Sequence, residues 1–202
     1  VSTASKMLSL LEADKTRISE SPDCYKNGKK MWYEKYINYM AEKAYIDRKD
    51  INYNYAGKKY TAEMLWKYLE KKGVLKQDIM DAVDINFEEK KKRTAITKKE
   101  FEEIYEYLVA LFGSSEGVHK EELIIAGTPS NMENAGKWQV FTDKGSYGFE
   151  GLALDSYIDK KIVVYVRGNE IIQVNLKISD KIAYENVWLE SGKNNKITAY
   201  LG

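Results

Sequence analysis

The sequence lacks most of the residues from which enzymes build nucleophilic or metal-dependent sites. It contains one histidine, His119, and one cysteine, Cys24. A catalytic triad or a zinc site needs several such groups together, so we expect no catalytic residue, no metal site and no cofactor. The single cysteine also excludes an internal disulfide framework, which fits a cytosolic protein and equally an exported bacterial protein that avoids thiols.

Neither sign of charge dominates, and no long apolar run is present. Lysine and arginine number 32 against 31 aspartate and glutamate residues, so no net field favours nucleic acid or an anionic membrane. The apolar runs are far shorter than the roughly 20 residues that span a bilayer. The sequence opens with Val1-Ser2-Thr3 and resembles an excised segment. A missing signal peptide is therefore no argument for the cytosol.

Apolar residues recur at helical spacing up to about Gly113. Thr97 and Glu100 form a capping box, and Gly113 is predicted to end the helix that follows. Thr61 and Thr3 open similar segments, which indicates either a divergent repeat or only the way that helices start. Two more helices are predicted, over about 29–46 and 77–83. We therefore predict an N-terminal helical bundle over residues 1–113.

Short alternating strands replace this pattern after a linker at 113–117. Strands are predicted at 122–126, 138–142, 147–151, 161–167, 170–174, 186–190 and 196–201. Asp143-Lys144-Gly145-Ser146 and Gly168-Asn169 are typical hairpin turns. The second domain, 118–202, is therefore predicted as a small antiparallel β-barrel or sandwich, and the chain as an α+β protein.

Paired carboxylates are the one enzymatic arrangement that the composition permits, because glycoside hydrolysis needs only two of them. Glu102, Glu103 and Glu106 are predicted to lie on the solvated face of the capped helix, opposite its apolar stripe. The other group, Glu150, Asp155 and Asp159, surrounds a turn in the strand half. Nothing in the sequence favours a catalytic role for it, but it leaves a carboxylate-based glycan hydrolase open as an alternative.

Aromatic residues supply the candidate binding surface. Four tyrosines, at 45, 53, 55 and 60, lie in a polar stretch where burial of all four is not expected. An exposed ring offers a flat apolar face and a polar edge to a sugar or a protein. We take Tyr53, Tyr55, Trp138 and Trp188 as candidate ligand-binding residues. The alternative is that these rings pack into the two cores.

The strand half resembles a known region of bacterial cell-wall proteins. The resemblance covers about residues 121–201 and rests on 123–129, 138–145, 147–152, 157–165 and 186–200. These segments are similar to the region ahead of the catalytic domain in clostridial relatives of stage II sporulation protein D and the amidase-enhancer family. That family cleaves peptidoglycan glycan strands during sporulation. The resemblance carries over no catalytic residue and implies an exported accessory part.

Three functions follow as hypotheses. The first is a noncatalytic module of the cell envelope that binds peptidoglycan or positions a wall-lytic enzyme, with a signal or anchor lying outside this sequence. The second is a protein-interaction or assembly module, whose helical domain provides the docking surface. The third is the carboxylate-based hydrolase.

Overall fold

The computed structural model of this chain describes residues 1–18, 25–26, 29–47, 61–83, 96–176, 187–191 and 197–201. The chain divides into two compact units, Val1–His119 and Lys120–Gly202. The described residues contain five α-helices and a closed five-stranded barrel. The predicted mixture of helix and strand is thereby confirmed. None of the described helices is both long and apolar enough to cross a bilayer.

All five described helices lie within the first unit. Their bounds are α1 Ser2–Glu12, α2 Glu34–Glu42, α3 Thr61–Lys71, α4 Lys76–Ala82 and α5 Lys98–Glu116. The predicted helix over about 29–46 starts later than expected, because α2 begins at Glu34. Residues 29–30 form a two-residue strand, β2 (Lys29–Lys30), which pairs antiparallel with β1 (Tyr25–Lys26). Helix α2 is followed by Ala44 with φ 57°, a left-handed conformation that cannot continue a helix.

Helix α1 is buried on every side. All eight residues from Ala4 to Leu11 are buried, including Ser5, Lys6 and Ser9. Ser9 Oγ donates to the Ser5 carbonyl oxygen within the helix, and Ser5 Oγ lies 3.2 Å from Met64 Sδ of α3. Helix α1 also contacts α2 and α5. A helix that is buried all round needs neighbours on all sides, so α1 is the centre of the helical unit.

The start of α5 was predicted correctly, but its end was not. Thr97 N–H donates to Glu100 Oε2 at 2.8 Å and Glu100 N–H to Thr97 Oγ1 at 3.1 Å, which is the capping box. The helix continues past Gly113 to Glu116 and is capped by Gly117, with φ 68°. The predicted linker at 113–117 is therefore mostly helix. Gly113 serves close packing instead, because a Cβ there would lie 2.3 Å from the Val118 carbonyl oxygen.

Glu102 does not lie on a solvated face of α5. Its side chain is 0% exposed, whereas Glu103 and Glu106 are partly exposed. The prediction for Glu102 was wrong because α5 contacts both α1 and α4, so its buried arc is wider than its apolar stripe. Lys6 of α1 is buried in the same unit, and neither Lys6 nor Glu102 is without an interaction partner.

Five strands close the barrel, and one pairing differs from the prediction. The strands are β3 Val118–Gly127, β4 Gln139–Thr142, β5 Gly145–Phe149, β6 Lys161–Arg167 and β7 Glu170–Val174. Their order around the barrel is β3-β4-β5-β7-β6. The hairpins β4–β5 and β6–β7 are antiparallel as predicted, but β5 and β7 run parallel. The barrel is therefore not wholly antiparallel.

If the five barrel strands are numbered 1 to 5 along the chain, their order around the barrel is 1-2-3-5-4. The third and fifth strands are the parallel pair. A 3-10 helix, Asp155–Tyr157, connects the third strand to the fourth. The barrel thus contains two antiparallel hairpins joined by one parallel pair. Its core contains ten buried apolar residues, Leu123, Ile125, Val140, Phe149, Leu154, Ile162, Val164, Val166, Ile171 and Val174. The predicted final pair, β8 Val187–Ser191 and β9 Ile197–Leu201, forms a separate antiparallel sheet.

Candidate functional site

The structure describes the side chain of only one of the four candidate ligand-binding residues. Tyr53 and Tyr55 lie outside the described residues. Trp188 lies in β8 opposite Tyr200, but only its backbone is described. Trp138, immediately before β4, is described in full. That these four residues bind a ligand therefore stays a prediction.

Trp138 presents a large, partly fixed aromatic surface at one end of the barrel. Its side chain is 45% exposed. The ring of Phe149, a residue of the barrel core, lies 5.7 Å away in a T-shaped arrangement, at an interplanar angle of 89°. Phe149 N–H donates to the Trp138 carbonyl oxygen at 3.0 Å, which fixes the backbone. The indole N–H has no hydrogen-bond partner among the described residues, and Lys137 Nζ lies 5.1 Å from the ring centroid.

The outer face of β4 and β5 begins next to Trp138. Val140 and Phe149 point into the core, so strand alternation directs Gln139 and Ser146 outward. Gln139 Nε2 donates to Ser146 Oγ at 2.7 Å, and its Oε1 accepts from Gly136 N–H at 3.0 Å. Asn169, in the β6–β7 turn, donates from Nδ2 to the Ser146 carbonyl oxygen at 2.7 Å. The side-chain amides of Gln139, on β4, and Asn169, in the β6–β7 turn, thus both bind Ser146 on the outer face of β5.

Among the carboxylates of the strand half, Asp155 does not have the raised pKa that a general acid of glycoside hydrolysis needs. Glu150, Asp155 and Asp159 are all exposed. Hydrogen bonds from the hydroxyls of Thr128, and then Ser130, hold the pKa of Asp155 below its usual value. A general acid needs the opposite shift. Asp155 instead ties the β3–β4 loop to the 3-10 helix.

Of the four tyrosines in the polar stretch, the structure describes only Tyr45, so the expectation that some of them are exposed stays a prediction. Tyr45 is buried, and its hydroxyl donates to Glu12 Oε2 at 3.0 Å. The pKa of Tyr39 is raised to about 12, and the pKa of Tyr45 is raised as well. Burial is the largest cause for both tyrosines, and the charge of Glu12 and its hydrogen bond come next. Lys72 Nζ lies 3.9 Å from Glu12 Oε1. Glu12 is therefore the centre of a polar network in the helical unit.

The network borders a cavity of about 430 Å³ that the sequence analysis missed. Six charged residues of both signs line it, together with Tyr39: Glu12, Arg17, Glu42, Lys43, Lys72 and Glu116. One sequence signal was present, because Glu42 and Glu116 lie within about four residues of predicted helix ends, where glutamate is disfavoured. Neither in this cavity nor elsewhere among the described residues are three histidine, cysteine, aspartate or glutamate side chains arranged to hold a metal ion.

Comparisons with known proteins give this chain no family. No family model matches it, and neither a curated protein nor a solved structure does.

Proposed function

We propose that this protein is a noncatalytic binding module of the cell envelope, in which a helical bundle is followed by a small barrel that binds peptidoglycan. The observation that carries the proposal is the exposed indole of Trp138, held in a T-shaped contact with the core residue Phe149. A ring fixed in this way loses little conformational freedom when a ligand stacks on it, so more of the stacking energy appears as affinity.

The chemistry of the surface suits a sugar. An indole combines an apolar face, which packs on the C–H groups of a pyranose ring, with an N–H that can donate to a sugar hydroxyl. The amides of Gln139 and Asn169 add polar groups at the border of the neighbouring face. The OB fold, another small five-stranded barrel, binds oligosaccharides and oligonucleotides on the face of its second and third strands, which by position correspond to β4 and β5 here. The fold alone does not dictate such a function, so the side chains carry the proposal.

The balanced charge of the chain favours a glycan over a nucleic acid, because phosphate contacts require clustered cations. The sequence resemblance adds the context: an exported protein, acting at the cell wall in sporulation and positioning a wall-lytic enzyme. Binding to the glycan strands would supply that positioning.

Co-sedimentation of the purified chain with isolated peptidoglycan sacculi tests this function. We expect binding that survives moderate salt, because stacking does not depend on charge, and we expect Trp138→Ala to abolish it. Trp32→Ala is the matched control, since Trp32 is also exposed (55%) and also makes a T-shaped contact with an aromatic ring, Tyr33. Equal binding by the Trp138 variant, or binding lost at moderate salt in the wild type, would contradict the proposal.

A further inference from the structure

Trp138 lies in a tight turn that one residue, Gln139, closes twice. The Gln139 backbone N–H donates to the Gly136 carbonyl oxygen at 2.9 Å, so residues 136–139 form a β-turn with Trp138 in its third position. The Gln139 side chain closes the same turn from the other direction, because its Oε1 accepts from the Gly136 N–H at 3.0 Å. A reciprocal pair of hydrogen bonds therefore joins the two ends of the turn.

The other end of the Gln139 carboxamide attaches this turn to the next strand of the barrel. Gln139 Nε2 donates to Ser146 Oγ at 2.7 Å, and Ser146 belongs to β5. The two residues are diagonal neighbours, because Gln139 is paired with Gly148 and Phe141 with Ser146. With its oxygen bound to the turn and its nitrogen bound to β5, the carboxamide holds the one against the other.

The turn depends on this attachment because its own residues lie at the surface. Gly136, Lys137 and Trp138 are all exposed, and a glycine allows the chain many backbone conformations. Phe149 holds Trp138 through its backbone N–H and its ring, but these contacts do not restrain Gly136. If the turn opened at Gly136, the backbone that enters Trp138 would rotate and the indole would move with it.

We propose that Gln139 is the positioning residue of the glycan site and holds the Trp138 indole, before any ligand binds, in the orientation on which a sugar stacks. This inference rests on the glycan-binding function proposed above. A turn that is already ordered does not have to be ordered by the ligand, and that ordering would otherwise oppose binding. Because water can replace hydrogen bonds in an exposed turn, losing the carboxamide should change the orientation of Trp138 more than the stability of the fold.

Fluorine NMR of the full chain, with its four tryptophans replaced by 5-fluorotryptophan, tests the positioning without a ligand. The Trp138 resonance is the one that is absent from the spectrum of Trp138→Phe. We expect Gln139→Met, which has no carboxamide, to shift this resonance and to leave the other three in place. Gln139→Glu should keep the wild-type resonance, because a carboxylate can accept from both the Gly136 N–H and the Ser146 hydroxyl.

Gln173→Met is the matched control. Gln173 lies in β7 of the same barrel, and its Nε2 donates to the Val174 carbonyl oxygen at 3.2 Å rather than to the turn. This variant loses the same chemical group, and the Trp138 resonance should not move. In co-sedimentation with sacculi, Gln139→Met should weaken binding about tenfold, whereas Gln139→Glu and Gln173→Met should stay within about twofold of the wild type.

Three results would overturn the positioning role. The first is an unchanged Trp138 resonance in Gln139→Met, whether or not the protein binds sacculi. The second is a shifted resonance with unchanged affinity, which would show that the orientation of the indole does not matter. The third is an equal loss of affinity in Gln139→Glu with its resonance in place, which would show that the carboxamide contacts the sugar directly. Absence of binding by the wild type would instead refute the glycan function, and the ligand-free spectra separate that failure from the others.

Discussion

Replacement of Gly113 by alanine should destabilise the protein, although the position lies inside α5. In an exposed helix, alanine is more favourable than glycine by about 0.8–1.0 kcal/mol. At Gly113, however, the new Cβ would lie 2.3 Å from the Val118 carbonyl oxygen and 3.1 Å from Val109 Cγ1. The first neighbour is backbone and cannot rotate away. Overpacking costs about 1–3 kcal/mol, and a contact this short with a fixed backbone atom belongs to the upper part of that range, about 2–3 kcal/mol. After the gain in helix propensity is subtracted, we expect a net loss of about 1–2 kcal/mol.

Urea unfolding followed by far-ultraviolet circular dichroism measures this loss. Two variants of the same helix end separate the possible causes. Ser114→Ala changes an exposed residue and should alter the unfolding free energy by no more than about 0.5 kcal/mol. Gly117→Ala meets no atom within 4 Å but must adopt φ 68°, so it should cost about 1 kcal/mol through backbone strain alone. A Gly113→Ala variant as stable as the wild type would refute the close approach of α5 to Val118.

Two further predictions concern pH. The pKa of Tyr39 is raised from 10.0 to about 12, mainly by burial and then by Glu12, so its contribution to stability is complete below pH 10 and is lost as pH rises towards 12. Glu12→Gln should lower this pKa in a tyrosinate absorbance titration; an unchanged titration curve would contradict the contact. The pKa of Asp155 is lowered mainly by the Thr128 hydroxyl, so its contribution is present above pH 3.8 and is lost as pH falls through the lowered value. Thr128→Val should raise that pKa in a carboxyl NMR titration, by more than Ser130→Ala does, and the reverse order would argue against the geometry.

The features that the sequence predicted correctly depend on neighbouring residues. The capping box at Thr97 is a contact between residues three apart, and it sets the start of α5. The strands Lys161–Arg167 and Glu170–Val174 were predicted to the residue, because strand alternation and the Gly168 turn lie within one short segment. Interactions of this range can be deduced from spacing alone.

Features that depend on distant segments were predicted less well. The parallel pairing of β5 and β7 depends on how the chain closes the barrel, which no local pattern encodes. Burial of Glu102 results from two neighbouring helices, and the role of Gly113 from the approach of β3. For the candidate sites, the sequence identified Trp138 as an aromatic candidate. The cavity was missed because its glutamates are far apart in sequence and meet only where three helices end.

The parallel pairing of β5 with β7 also bears on how the barrel forms. Each hairpin, β4–β5 and β6–β7, needs only a short turn and can assemble within microseconds. Joining them requires Gly148 to meet Glu170, 22 residues later, with the intervening 3-10 helix already accommodated. Closing this loop lowers the conformational entropy of the chain before any packing contact is made. Barrel closure is therefore expected to be the slow step of folding in the second unit, and residues 150–169 are where substitutions would change its rate.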